Sequence, residues 1–184
     1  MTLSASHHDP VTILEHFRHD KTATFFAYWL SLNEGRMPLV GSWDPIKVHQ
    51  SMPWCTIIER GGETGFQLRF AGTAICDFYG EEMTGQAVGY RMDDEARAFY
   101  FANIENVLRR PCAMLMTISA RSDIGRDCLF ECLFLPVADA QGNGIRIINH
   151  QVIIEELTYG ETKSRFAMPD VSVWIDIGAG TPDT

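Results

Sequence analysis

With 184 residues, 46% of them hydrophobic, the chain is long enough to bury a substantial core and too apolar to stay disordered. Its net charge of -9, with 15 Lys and Arg scattered along it, opposes contact with nucleic-acid phosphates or anionic lipid. No apolar run approaches the roughly 20 residues that cross a bilayer, and Met1 to Pro10 lacks a signal peptide's charged start and apolar middle, so a cytoplasmic protein with no nucleic-acid or membrane partner is expected.

Asp9 and Pro10 read as an N-cap and first helical residue, after which Leu14, Phe17, Lys21, Phe25, Tyr28, Trp29 and Leu32 recur at helical spacing. The pattern predicts a long amphipathic helix ended by Asn33, Gly35 and Pro38. On it, His16, His19 and Asp20 fall within one turn, but a metal centre needs further ligands that no other helical pattern supplies, and a solvated polar face is the plainer reading. Ser42 to Met52, with Asp44 before Pro45, predicts a short second helix.

Trp54 to Glu59 forms the first predicted strand, Gly61 and Gly62 a hairpin turn, and Phe66 to Ala71 the returning strand. Thr73 is an N-cap candidate for a helix over Ala74 to Tyr79, stopped by Gly80, and Gly85 closes a further turn. Asp93 and Asp94 open a helix through Ala98, Phe101, Ile104 and Leu108, which ends at Arg109, Arg110 and Pro111. The acidic start and basic end suit the helix dipole. Cys112 to Ser119 and Cys128 to Val137 are strands apolar at nearly every position, which predicts cover on both sheet faces. A hairpin at Gly142 to Gly144 leads into Ile145 to Ile154. The five Cys show no framework spacing; Cys128 and Cys132 share a strand, four residues of about 3.3 Å apart, too far to bond, and reduced thiols are expected.

Tyr28 with Trp29, Gly35 with Arg36 and Pro38, Asp44 with Pro45, Ala71 to Thr73, Thr84 with Gly85, and Leu135 with Pro136 follow one another in an order and spacing that resembles a small bacterial PAS family, from about Phe25 to about Val152. The resemblance implies an α+β fold: a PAS-like five-stranded antiparallel sheet with short helices on one face and a long N-terminal flanking helix. The chain is expected to divide into a disordered N-terminus at 1–9, a helical cap at 10–52, a PAS core at 53–155 and a tail at 156–184 with a candidate extra strand. The cap helix would bury its apolar stripe on the uncovered sheet face or meet a second subunit in a homodimer.

Such a fold can hold a ligand between its helices and the concave sheet face. On that basis Phe78, Tyr79, Arg91, Phe99, Tyr100, Met114, Met116, Phe134 and His150 are candidate ligand-binding residues, and the same aromatic and Met side chains would equally fill an ordinary core. The flavin motif with its reactive Cys is missing, and Cys76 lacks flavin-contacting neighbours. No His stands on the helix from Asp93 to Arg109, where a haem sensor of this fold carries its axial ligand, which leaves His49 and His150 as alternatives. No cofactor is assigned. Arg91 and Arg69 are the candidate rim cations, able to hold a carboxylate or to pair with Glu131, which lies among apolar strand neighbours.

No elbow, Cys-His pair or metal cluster suggests catalysis; Asp77, His150 and Tyr100 are the acid-base set that a small enzyme could use. The expected function is a non-enzymatic PAS-type sensory or signalling module that works through contacts with an unidentified signalling protein, with a small-molecule ligand as an option. In the tail, Val171, Val173, Ile175 and Ile177 alternate with Ser172, Trp174 and Asp176. That pattern at 171–177 predicts an extra strand, which either folds back on the domain or adds to a partner.

Overall fold

The computed structural model describes residues 13, 15–157 and 170–182. The expected cap at Asp9 and Pro10, the stripe residue Leu14, the N-terminus at 1–9 and most of the polar stretch after Glu155 lie outside the described residues.

Among the described residues six antiparallel strands form one sheet: β1 (Cys55–Arg60), β2 (Phe66–Ala71), β3 (Cys112–Arg121), β4 (Asp127–Ala138), β5 (Gly144–Leu157) and β6 (Asp170–Asp176). Their spatial order is β2-β1-β5-β4-β3-β6. The five strands expected of the core are all present, and the alternating tail resolves in favour of folding back, with Trp174 opposite Met114 and Val173 opposite Leu115 on β3. A register shift between Leu115 and Met116 turns Val171 to the same side as Trp174. Pro136, in an otherwise central strand, lies beyond the last β3 partner, because the β3–β4 ladder starts at Met114 and Phe134. The missing N–H therefore interrupts no ladder bond on that side.

The sheet carries cover on both faces, as the doubly apolar strands require. One face packs against α2 (Thr73–Tyr79) and α3 (Asp94–Arg109) through Ile58, Ile104, Met114, Met116 and Phe134. The other packs against α1 (Asp20–Ser31), where Phe25, Phe26 and Trp29 meet Leu115, Leu133, Leu135 and Ile148. These three aromatic residues are buried on the chain's own sheet, which is the first of the two places expected for the apolar stripe.

The first helix is interrupted within its sequence pattern, Ile13 being helical and residues 15–19 not. Residues 15–19 are irregular, and α1 begins after His19, whose extended backbone and Nδ1, accepting from the Lys21 N–H at 3.1 Å, make it the N-cap. The Arg18 N–H is drawn away to the Glu131 carboxyl. His19 thus caps a helix, and no group of three metal-ligating side chains occurs among the described residues. The expected second helix is instead three short 3-10 turns, Val40–Ser42, Pro45–Val48 and Met52–Trp54. Asp44 caps the middle one by accepting from the Ile46 N–H, while its own backbone exchanges two hydrogen bonds of 3.0 Å with the Tyr28 hydroxyl. Two motif residues far apart in sequence thereby fasten the connector to α1.

At the strand-to-helix junction Gly72, not Thr73, is the N-cap of α2. A Cβ there would sit 2.3 Å from both the Met52 and Pro53 carbonyl oxygens, so only glycine allows the backbones to approach. Gly80 ends the helix in the left-handed region, φ 71°, as its position predicts. Thr84 accepts the Ala71 N–H through its hydroxyl, and the Gly85 N–H bonds the Leu68 carbonyl at 2.6 Å. With the Leu68 N–H to Gln86 and the Val88 N–H to Phe66, these bonds lay the loop after α2 along the open edge of β2. The longer helix starts where the acidic pair predicts, and Asp93 is its N-cap: Asp93 Oδ1 accepts from the Ala96 N–H at 2.8 Å. All five Cys are free thiols.

Candidate functional site

The loop that runs along β2 and then into α3 leaves a cavity of about 90 Å³ between itself, α2, α3 and the sheet. Its walls are largely apolar, with Leu68, Ile75, Met83, Val88, Ile118 and Phe130 contributed by five different segments. Its floor is polar: Thr56 on β1 and Asn149 on β5 are register partners, and Gln151 follows on the same face of β5. The Gln151 amide donates to the Thr56 hydroxyl at 3.5 Å. Asn149 is only 2% exposed, and its Oδ1 has no hydrogen-bond partner among the described residues. A buried acceptor left unmade costs about 1–3 kcal/mol.

Tyr79 and Tyr100 also line the cavity, and burial pushes both phenols well above their ordinary range, so they stay neutral. At the mouth Arg91 pairs with Glu81, and its guanidinium carbon lies 5.1 Å from the centre of the Tyr79 ring. The Tyr90 hydroxyl donates to the same Glu81 oxygen at 2.5 Å, and this bond, followed by Arg91, holds the Glu81 carboxyl below its ordinary range. The three side chains tie the two ends of the loop together over the opening.

Of the candidates read from the sequence, Tyr79, Tyr100 and Arg91 line this cavity. Met114, Met116, Phe134 and Phe78 lie on the same side of the sheet but within the packed core, and Phe99 is half-buried against it. His150 is the exception. It pairs with Leu133 and Cys55 and therefore points to the α1 face, where its ring stacks on Phe25 with centroids 4.5 Å apart. Phe134 pairs with Asn149, so grouping His150 with Phe134 is one residue out of register, and a slip of one residue exchanges the two faces. Burial, then His19 and Lys21, lowers the His150 imidazole to about 4.

The separation has chemical consequences. Asp77 is exposed on α2, Tyr100 lines the cavity and His150 lies beyond the sheet, so the three do not form an acid-base set. Neither His considered as a haem ligand faces the cavity; His49 is exposed, with Nδ1 2.9 Å from the Ile46 carbonyl. Glu131 is on the α1 face too, and its partners are the Thr22 hydroxyl at 2.5 Å and the Arg18 N–H at 2.6 Å. The proposed partners Arg91 and Arg69 are instead bound to Glu81 and Glu59.

Thr56, Asn149 and Gln151 are cavity residues that the sequence reading did not single out. The available signal was a carboxamide at 149 directly after Ile147 and Ile148 in a strand that needed cover on both faces.

Comparison with known proteins supplies the family. No curated protein matches the chain. Among solved structures, an RNA-binding light-oxygen-voltage receptor is 17% identical with a TM-score of 0.47, covering 59% of this chain; the chain spans 32% of that receptor's length. The Rhodobacter sphaeroides LOV protein is 10% identical with a TM-score of 0.45, covering 66% of this chain and 73% of that one. The dark structure of the blue-light photoreceptor Aureochrome1 LOV is 12% identical with a TM-score of 0.45, over 66% of this chain and 88% of that one. The PAS domain family model matches residues 17–150, from the turn before α1 to the floor of the cavity on β5, and the chain belongs to the PAS domain family.

Proposed function

We propose that this chain is a PAS-type sensory module that binds a small molecule in the cavity and signals through contacts with another protein, without catalysing a reaction. The observation that carries this reading is Asn149: a carboxamide 2% exposed, on the floor of a cavity, with an unmet acceptor. Ligand or water must complete it, and the mixed lining of apolar side chains with a few convergent polar groups is what small-molecule sites share.

Output has a short route on this fold. Asn149 and His150 are neighbours on β5 that face opposite ways, the first lining the cavity and the second stacked under Phe25 of α1. A ligand that shifts Asn149 therefore moves the strand on which α1 rests, and the exposed side of α1 and its connector is the surface a partner would read. A cytoplasmic setting agrees with this role, and no helix among the described residues is long and apolar enough to cross a membrane.

Native mass spectrometry with an absorbance spectrum of the freshly purified protein tests the first half. Hydrogen exchange of α1, with and without the molecule recovered, tests the second. A bound small molecule whose removal changes protection of α1 is the expected result. A cavity that holds only water, together with α1 protection that no extract alters, would overturn the reading.

A further inference from the structure

We propose that the cavity is selective for an uncharged single-ring molecule carrying one O–H or N–H donor, of which phenol is the simplest; this rests on the reading that the cavity takes a ligand. Three observations set the class. First, size: an apolar cavity of ~150 Å³ admits one benzene ring, so a cavity of about 90 Å³ accepts a single ring after small shifts of its walls. Met83 and Met92 line it and are side chains suited to such shifts.

Second, charge. Among the described lining residues, Arg91 is the charged one, and it stands at the mouth already paired with Glu81. An ion carried to the floor would lose its hydration and meet no countercharge there. Neutral ligands escape that cost.

Third, hydrogen bonding. The Asn149 Oδ1 lacks a donor, and the terminal torsion of an Asn side chain is soft enough to turn this oxygen toward a ligand. A donor on the ring satisfies it, and the ligand's own oxygen or nitrogen can accept from the hydroxyl of Tyr100, Tyr79 or Ser119, all of which line the cavity. A hydrocarbon of equal size leaves the floor unpaired, which costs at least about tenfold in affinity.

The test titrates the full chain with phenol, toluene and benzoate, following cavity Met and Ile methyl resonances by NMR. Phenol is expected to bind at least about tenfold more tightly than toluene, and benzoate to bind most weakly. Asn149→Leu should bring phenol down to the toluene level, and Asn149→Ser, which keeps a hydroxyl, should retain part of the preference. Melting curves of both variants establish that they fold. Equal binding of phenol and toluene, or preference for benzoate, overturns the proposed class while leaving a ligand cavity standing. If none of the three shifts a cavity methyl, both this proposal and the ligand reading fall.

Discussion

Replacing Thr22 by Val should loosen the attachment of α1 by a predictable amount. Thr22 is fully buried, and its hydroxyl donates to Glu131, which is itself 1% exposed and takes its other hydrogen bond from the Arg18 N–H. Val has nearly the same shape, so the change removes a donor without opening a cavity. Hydrogen bonds to a carboxylate contribute about 1.5–3 kcal/mol, and the added buried methyl returns up to about 0.8 kcal/mol. The net loss is about 1–2 kcal/mol, which for a chain of this length lowers Tm by about 2–8 °C. Urea unfolding followed by circular dichroism measures it, with an unchanged slope confirming that the compared states are the same. In a Glu131→Leu background the Thr22→Val cost should nearly vanish, because the interaction is already gone. A loss below about 0.5 kcal/mol, or an equal loss in the Glu131→Leu background, would refute the assignment of this bond as the anchor.

His150 makes stability depend on pH. Its imidazole titrates at about 4 when folded against an ordinary 6.5, so the unfolded chain binds more protons in between and stability falls as pH drops from about 6.5 toward 4. The full amount is on the order of 3 kcal/mol, and His150→Leu should remove that slope in denaturation curves taken across this range; an unchanged slope would point to another group. Gly72→Ala should cost roughly 3 kcal/mol or more, because the new Cβ meets two backbone carbonyls at 2.3 Å; a melting temperature within 2 °C of the parent, on the order of 1 kcal/mol or less, would contradict that packing. Trp174→Ala should cost about 3–5 kcal/mol, since Trp174 is buried with the core on the α2–α3 side. A loss under about 1 kcal/mol would mean that β6 does not hold its place on β3 in solution.

Legibility differed by level. β2 was readable to the residue, because Phe66, Leu68 and Phe70 alternate with polar neighbours and glycines bound the pattern. The caps at Asp93 and Gly80 were readable for the same local reason: one side chain or one backbone conformation determines them. The break in the first helix at residues 15–19 was not readable, because helical spacing there says nothing about an N–H drawn to Glu131, more than a hundred residues away. In the cavity, Tyr79, Tyr100 and Arg91 were accessible from their segments, whereas Thr56, Asn149 and Gln151 depended on which face each strand turned inward.

Local chemistry in the chain alone determined which segments form the five core strands, the stop of α2 at Gly80 and the start of α3 at Asp93, that the sheet is covered on both faces, and that the tail carries a strand pattern. Those outcomes depend on neighbours within a few residues. Tertiary structure decided the rest: that β6 pairs with β3 rather than with a partner, that Glu131 belongs to Thr22 and Arg18 rather than to an arginine, and that Asn149, not His150, meets the cavity. In strands apolar at almost every position the side-chain pattern no longer distinguishes one face from the other. Strand register then assigns the faces, and register is a property of two strands together.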